Sequence, residues 1–309
     1  MILRRLFAVL ALAVLASPLL AQEEIEAPVP IPRPESLGGS AVEEPAAPPP
    51  PPVPLTTDPQ PVTLSARTTD NGPFIPEGVV WRVFGTEVDE TGELAMLARS
   101  DEATATFSLP PGDYVLNVAY GRAQATDTLR VNVGPNTKEM ILEVGGLELN
   151  AAITGDVPIP SELLSFDVFA DGPNGRTTIA EDLAAGEMVH VNAGIYSVVS
   201  EFGPINAVVR ADIRVEPGEI TQATLYHRAA QVNLKLVSEE GGEAIADVEW
   251  TIKTTSGDTI FSEIGAFPST VLAEGNYLVL AKLGDNVYNR EFQVIPGAPR
   301  EIEILTAVY

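Results

Sequence analysis

The chain of 309 residues contains no cysteine, only two histidines and few basic side chains. Without cysteine it cannot form a disulfide framework, a zinc-thiolate site, an iron–sulfur cluster or a thiol nucleophile. His190 and His227 are the only imidazoles available for metal or acid–base chemistry. The 18 Lys and Arg residues against 43 Asp and Glu give a formal net charge of −25. This charge repels a polyanion, so nucleic acid is excluded as a partner.

The first 21 residues have the order of a secretory signal peptide. Arg4 and Arg5 precede an apolar run over residues 6–16, and a small residue, Ala21, stands at the expected cleavage point. The apolar stretch is shorter than the ~20 residues that span a bilayer, and an uncleaved N-terminal anchor is the alternative. We predict a signal peptide over residues 1–21 and a periplasmic or secreted mature protein. After cleavage, no transmembrane span is expected.

Residues 22–60 have the composition of a disordered, acidic linker. There are 13 prolines between Pro28 and Pro61, and large apolar side chains are sparse. Such a segment buries too little surface to offset the entropy lost on ordering, and its prolines favour polyproline II structure. We interpret it as a semi-rigid spacer. A ligand for a proline-recognition groove and a span through a wall layer are the alternatives.

The remainder of the chain consists of three copies of one sequence repeat. A Gly-x-Tyr motif that opens an alternating apolar run recurs at spacings of 82 and 81 residues, and its three copies are Gly112/Tyr114, Gly194/Tyr196 and Gly275/Tyr277. Other landmarks keep a similar period: Leu64, Leu149 and Leu234; Trp81, Phe166 and Trp250. A fixed period of this kind indicates tandem structural repeats. We place the repeats at 61–145, 146–229 and 230–309.

Each repeat reads as short β-strands. After each Gly-x-Tyr motif, apolar side chains recur at every second position, as in Tyr114, Leu116 and Val118. Residues typical of turns occur at short intervals between these segments. We predict an all-β chain of three tandem immunoglobulin-like or prealbumin-like sandwiches with about seven strands each. Only Gly145 and Gly146 separate the first two repeats, so a stiff rod is expected rather than independent modules.

The repeated motif resembles a known kind of domain. Small or apolar residues, then Gly-x-Tyr, an alternating strand and a later Val-x-Pro-Gly turn at Val215 and Val294 resemble bacterial immunoglobulin-like and carboxypeptidase-regulatory-like repeats. The first copy departs from the pattern, with Val133-Gly134-Pro135 at the turn. The resemblance covers about residues 61–309. It implies prealbumin-type β-sandwiches that act as spacers or interaction modules of the cell envelope.

No residue set in the sequence makes a convincing catalytic, cofactor or metal site. The Gly-x-Tyr tyrosines are expected to bury their rings and return their hydroxyls to the backbone, and Trp81 and Trp250 are expected in the core rather than on a sugar-binding face. His190 and His227 are interpreted as ordinary polar surface. The acidic loops are interpreted as a solvated face, with calcium binding as the alternative; they contain Glu87, Asp89, Glu90, Glu93, Glu239 and Glu240.

The sequence therefore predicts a non-catalytic, exported protein of the cell envelope that needs no cofactor. Its stiff modules would present loops and edge strands to a protein or glycan partner whose identity the sequence does not specify. A carbohydrate-binding protein is the alternative, using Phe74, Tyr120 or Tyr288. These aromatic side chains would be exposed together on one face for glycan binding and buried in a structural module.

Overall fold

The computed structural model of the chain describes residues 57–88, 92–173 and 175–306. The predicted signal peptide, 1–21, and the predicted linker as far as residue 56 lie outside the described residues. The described strands belong to one compact unit, Pro54–Tyr309. Among the residues described, no helix is both long and apolar enough to cross a membrane.

The first repeat is a sandwich of two sheets. Its seven strands are β1 (Gln60–Arg67), β2 (Val79–Val88), β3 (Leu94–Ser100), β4 (Ala105–Leu109), β5 (Gly112–Tyr120), β6 (Ala123–Val131) and β7 (Asn136–Ile141). One sheet has the order β4-β1-β7 and the other has the order β3-β2-β5-β6. Strand β7 pairs in parallel with β1, so the last strand of the repeat returns to the first.

The second repeat has the same plan with a small insertion. Its strands are β8 (Val144–Ile153), β9 (Val157–Pro158), β10 (Leu164–Gly172), β11 (Gly175–Leu183), β12 (Met188–Asn192), β13 (Gly194–Phe202), β14 (Val208–Val215) and β15 (Ile220–His227), with a 3-10 turn at Ser161–Leu163. The sheets are β12-β8-β15 and β11-β10-β13-β14, and the two-residue β9 pairs with β8. Parallel pairing of β15 with β8 again closes the repeat.

The third repeat follows the plan of the first. Its strands are β16 (Ala229–Val237), β17 (Val248–Thr254), β18 (Thr259–Gly265), β19 (Ser269–Ala273), β20 (Gly275–Leu283), β21 (Asn286–Val294) and β22 (Arg300–Leu305). The sheets are β19-β16-β22 and β18-β17-β20-β21. The all-β prediction of three tandem sandwiches is confirmed, because each repeat pairs a three-stranded with a four-stranded sheet.

The repeated landmarks form the cores of the sandwiches. Trp81, Phe166 and Trp250 occupy the second strand of the four-stranded sheet in their respective repeats, and each is fully buried. Leu64 and its equivalents Leu149 and Leu234 lie on the first strand of each repeat and are also buried. The period-two pattern therefore marked the core face correctly, as expected when one face of each sheet packs against its partner.

Candidate functional site

The Gly-x-Tyr tyrosines fasten a strand to the turn before it. The Tyr196 hydroxyl donates to the Asn192 carbonyl at 2.7 Å, and the Tyr114 and Tyr277 hydroxyls donate to the carbonyls four residues earlier at 2.8 and 2.9 Å. Tyr196 and Tyr277 are buried, whereas Tyr114 is half-buried. Burial raises the pKa of Tyr196, which keeps its hydroxyl a donor. The predicted folding role of these side chains is confirmed.

The tryptophans are also part of the fold. The indole N–H of Trp81 donates to the Glu102 carbonyl at 3.1 Å, and that of Trp250 donates to the Gly265 carbonyl at 2.8 Å. A buried indole that has found a backbone acceptor is satisfied in the core. The expectation that neither ring offers a sugar-stacking face is confirmed.

The three aromatics proposed for glycan binding have separate surroundings. Phe74 is about half exposed, and the Arg67 guanidinium lies 3.7 Å from its ring centroid. Tyr120 is half-buried and its ring lies against His190, with centroids 4.4 Å apart. Tyr288 lies on β21 and packs against the core of the third repeat. Each of the three rings therefore packs against other side chains of the fold, and Phe74 is the most exposed of them.

Polar side chains interlock the first repeat with the second. The side-chain amide of Asn192 accepts from the Gln124 backbone N–H at 3.0 Å and donates to the Gln124 carbonyl at 3.1 Å. It also donates to the Leu142 carbonyl at 2.8 Å. Nearby, the Arg122 N–H donates to the His190 carbonyl at 2.8 Å. One amide therefore satisfies three backbone groups of the preceding repeat, which fixes the position of β12 against it.

A different amide joins the second repeat to the third. Asn206, in the turn between β13 and β14, accepts from the Ala273 backbone N–H at 2.9 Å and donates to the Tyr277 hydroxyl at 2.9 Å. The Glu274 N–H donates to the Arg228 carbonyl at 2.7 Å, and the two side chains form an ion pair at 2.6 Å. The turn of one repeat thus docks on the strand before the Gly-x-Tyr motif of the next.

An apolar cluster lies beneath these hydrogen bonds at the second junction. It contains buried side chains from both repeats: Ile153, Phe202, Ala207, Ala229 and Val271. Gly203 makes the close approach feasible, because a Cβ at this position would lie 2.7 Å from the Val271 Cβ. Its φ of +69° is also a conformation that glycine adopts without strain. The short junctions predicted from the sequence are therefore packed and hydrogen-bonded.

The interpretation of His227 as polar surface is wrong. The side chain is 1% exposed, and its Nε2 lies 2.8 Å from the hydroxyl of Ser200, which is fully buried. His227 ends β15 beside β8, and its ring meets the Phe202 ring edge-on with centroids 5.8 Å apart. Alternation could have revealed this, because His227 shares a face of β15 with buried Leu225. Burial lowers the pKa of His227, although the Ala207 carbonyl acts in the opposite direction.

His190 occupies the first junction instead of open surface. It lies on β12, is half-buried, and its Nε2 is 3.3 Å from the Tyr120 hydroxyl of the preceding repeat. A Cβ on Gly121 would lie 3.0 Å from the His190 Cβ, so the turn that follows Tyr120 lies directly against β12. Both histidines therefore belong to junctions between repeats, a placement that the sequence analysis missed.

The acidic loops can be compared with a metal site only where the structure describes them. In the described ranges, no group of three His, Asp or Glu side chains is arranged to hold a metal ion. Asp89 and Glu90 lie outside those ranges, and the calcium alternative for their hairpin stays a prediction. In the loop with Glu239 and Glu240, the Gly242 N–H donates to the Glu239 carbonyl at 2.9 Å and forms a turn.

A family model matches one of the three repeats. Residues 231–306 match the model of the Rhizobiales growth-associated tandem repeat domain. No curated protein matches the chain. Similar solved structures include the Bacillus anthracis TIE protein, with 15% identity, coverage of 80% of this chain and 50% of that one, and a TM-score of 0.23. The present chain therefore spans half the length of that structure.

Two pilins are also among the similar structures. GBS52, the minor pilin of Streptococcus agalactiae, is 16% identical over 54% of this chain and 95% of its own, with a TM-score of 0.32. BcpA, the major pilin subunit of Bacillus cereus, is 11% identical over 81% of this chain and 100% of its own, with a TM-score of 0.22. At such scores the fold assignment depends on the strand topology itself. The chain carries three tandem immunoglobulin-like β-sandwich repeats, the third of which is similar to the Rhizobiales growth-associated tandem repeat domain.

Proposed function

We propose that this chain is a non-catalytic, exported protein of the cell envelope that holds three sandwich modules at fixed spacing for a partner. The interlocked junctions are the observation that carries the proposal. At the first junction, the Asn192 side chain makes three hydrogen bonds to the preceding repeat. At the second, Asn206 makes two hydrogen bonds to the following repeat.

Fixed spacing has a direct physical use in binding. A partner that contacts two modules loses less free energy to ordering when the modules are already held in their bound arrangement. A loosely tethered array would have to be ordered by the partner itself. Junctions held by side-chain amides that hydrogen-bond the neighbouring repeat therefore suit a protein that presents surfaces on more than one repeat.

The side chains that could take part in catalysis or ligand binding support a structural role instead. The buried tyrosines and tryptophans each donate to a backbone carbonyl, and both histidines lie at junctions. These groups take part in folding and assembly of the repeats. We therefore assign the chain to the structural and interaction proteins rather than to the enzymes.

The proposed compartment follows from the sequence. The basic, apolar and small residues over 1–21 have the order of an export signal, and a cysteine-free chain needs no oxidising machinery to reach its fold. The proline-rich residues 22–60 would then separate the sandwiches from the site of export. We infer a periplasmic or secreted protein whose partner is a protein or glycan of the envelope.

Affinity capture from envelope extract with the tagged, full-length chain tests this role. We expect a partner to be retained by the parent chain and by the exposed control variant Asn289→Ala. The junction variant Asn192→Ala/Asn206→Ala should retain it less well, because the modules are no longer held in one arrangement. Equal retention by the junction variant would show that fixed spacing plays no part in binding. Recovery of the chain in the cytoplasm would contradict the envelope assignment.

A further inference from the structure

The placement of the two histidines gives the junctions a chemical property that the rest of the chain lacks. The chain contains no cysteine, and His is the only side chain whose ordinary pKa lies between about pH 5 and 8. His190 contacts Tyr120 across the first junction, and His227 lies beside the apolar cluster of the second. Through His227, mild acidification therefore has a point of action at the second junction.

His227 is buried in a setting that favours its neutral form. Its Nε2 lies 2.8 Å from the Ser200 hydroxyl, and neither side chain is more than 1% exposed. Within the described ranges, Nδ1 is a buried polar atom with no hydrogen-bond partner. A second proton would place a positive charge on a side chain that is 1% exposed, and such burial is costly. The Ala207 carbonyl favours the charged ring, but burial outweighs it.

The charged groups around His227 do not compensate for a proton on it. The next residue, Arg228, is already paired with Glu274 of the third repeat at 2.6 Å. On the same strand, the exposed Tyr226 donates to Asp156 at 2.9 Å. On β13, Glu201 follows Ser200 and is exposed. Just after β8, the uncharged Thr154 donates to the His227 carbonyl through both its backbone N–H and its hydroxyl. None of the ion pairs in the described ranges includes His227.

His227 also packs against residues that form the junction. Its ring packs edge-on against Phe202, which belongs to the cluster shared with Val271 of the third repeat. One residue further along, the Arg228 carbonyl accepts from the Glu274 N–H across the junction. Any movement that brings the imidazole to water must therefore disturb Phe202, the Arg228 backbone or both.

We propose that His227 makes the junction between the second and third repeats sensitive to acid. Between pH 7.5 and 5.5, protonation of its imidazole would raise the equilibrium constant for opening of the junction at which the third repeat docks on the second. This acid sensitivity depends only on the geometry of the junction and does not require the proposed envelope role.

The direction of the effect follows from the proton balance. Burial lowers the pKa of His227 in the closed junction below its usual value near 6.5. The opened form consequently binds more protons than the closed form as the pH falls through that value. The equilibrium constant for opening then rises by up to about tenfold per pH unit, until the pH reaches the lowered pKa of the closed form.

Hydrogen exchange and NMR on the full-length chain test the proposal. The Ala273 and Glu274 amides donate across the second junction, and their exchange reports its opening. After correction for intrinsic exchange, we expect their protection to fall measurably, by up to about tenfold, between pH 7.5 and 5.5. The imidazole signal of His227, assigned with a His190→Gln variant, should titrate below pH 6.5. Constant protection of both amides, or titration of His227 at or above pH 6.5, would overturn the proposal.

A variant isolates the imidazole from other effects of acid. His227→Gln retains an amide that can bond Ser200 but does not titrate, so its junction protection should be independent of pH over the same range. His190→Gln is the matched control and should keep the parent's pH dependence at the second junction. An unchanged pH dependence in His227→Gln would refute the proposal. If that variant does not fold, the parent titration above still decides the question.

Discussion

Tyr196 donates its hydroxyl to the Asn192 carbonyl at 2.7 Å, while the Asn192 side chain reaches the first repeat. One residue therefore links the folding motif of the second repeat to its junction with the first. The third repeat achieves the same link differently, because the Tyr277 hydroxyl donates to the Ala273 carbonyl and accepts from Asn206 of the second repeat. The repeated Gly-x-Tyr motif thus stiffens the strand on which the preceding repeat docks.

Truncating Tyr196 should unfold the middle repeat first. Tyr196→Ala removes a buried ring and its hydrogen bond, and large aromatic truncations cost roughly 3–5 kcal/mol. The two tryptophans, Trp81 and Trp250, lie in the outer repeats and give a separate signal. We expect the circular dichroism to show an early transition that tryptophan fluorescence does not follow. Coincident transitions at the parent temperature would contradict this. Tyr196→Phe, which removes only the hydroxyl, should cost about 1 kcal/mol.

A methyl group on Gly203 should open the second junction. Gly203→Ala meets Val271 at close range and also places alanine at a φ of +69°. Gly284→Ala is the matched control, because its φ is +59° but no atom lies within 4 Å of the added carbon. In both variants the left-handed backbone conformation lowers the free energy of unfolding by about 1–2 kcal/mol. Overpacking lowers it by roughly 1–3 kcal/mol more in Gly203→Ala only. Equal free energies of unfolding for the two variants would show that the contact is unimportant.

Removing the Asn192 amide should uncouple the first two repeats. Asn192→Ala removes three hydrogen bonds to the first repeat, each with a net contribution of about 1 kcal/mol. We expect the Gln124 amide to lose hydrogen-exchange protection, while amides in the core of the second repeat keep theirs. Asn289→Ala, on the exposed surface of the third repeat, is the control. Protection of Gln124 that survives in Asn192→Ala would argue against the interlock.

Moderate salt should stabilise the chain slightly. From Pro61 onward the chain has 36 acidic and 15 basic residues, a formal balance of −21, so the repeats repel themselves and monovalent salt screens this repulsion. The melting temperature is expected to rise modestly as sodium chloride increases from low to physiological concentration. A steady fall over the same range would contradict the prediction. A gain specific to calcium, beyond that given by magnesium, would instead support a metal site in the acidic hairpin.

Export should produce a mature chain that begins near Gln22. Cleavage after Ala21 follows from the basic, apolar and small order of the preceding residues. Mass spectrometry of the envelope fraction from the producing cell measures the N-terminus directly. Intact residues 1–21 in that fraction would favour the alternative of an uncleaved membrane anchor.

The local patterns of the sequence were sufficient to identify the strands and the repeats. Alternation after each Gly-x-Tyr motif and the shared period of Trp81, Phe166 and Trp250 both arise from contacts within one repeat, so every copy carries them. The junctions could not be predicted in the same way. Asn192 precedes a Gly-x-Tyr motif and Asn206 follows one, so the two junctions use amides at different repeat positions. No periodic signal distinguishes them from other surface amides.

The burial of His227 depends on partners that are distant in sequence. Ser200 is 27 residues away and comes from another strand of the second repeat. Alternation on β15 places His227 on the same face as Leu225, but a histidine at the end of a strand is ordinarily exposed. Only the tertiary arrangement shows that Phe202 and the shared cluster cover this end of the strand.

Distance measurements between spin labels test most directly whether the junctions hold the repeats in place. Because the chain has no native cysteine, labels at Ser108→Cys and Thr177→Cys mark the first and second repeats at exposed strand positions. We predict one narrow distance distribution in the parent background and a broad one when Asn192→Ala is added. A distribution that is already broad in the parent, and is not changed by Asn192→Ala, would contradict the fixed spacing from which the proposed function is drawn.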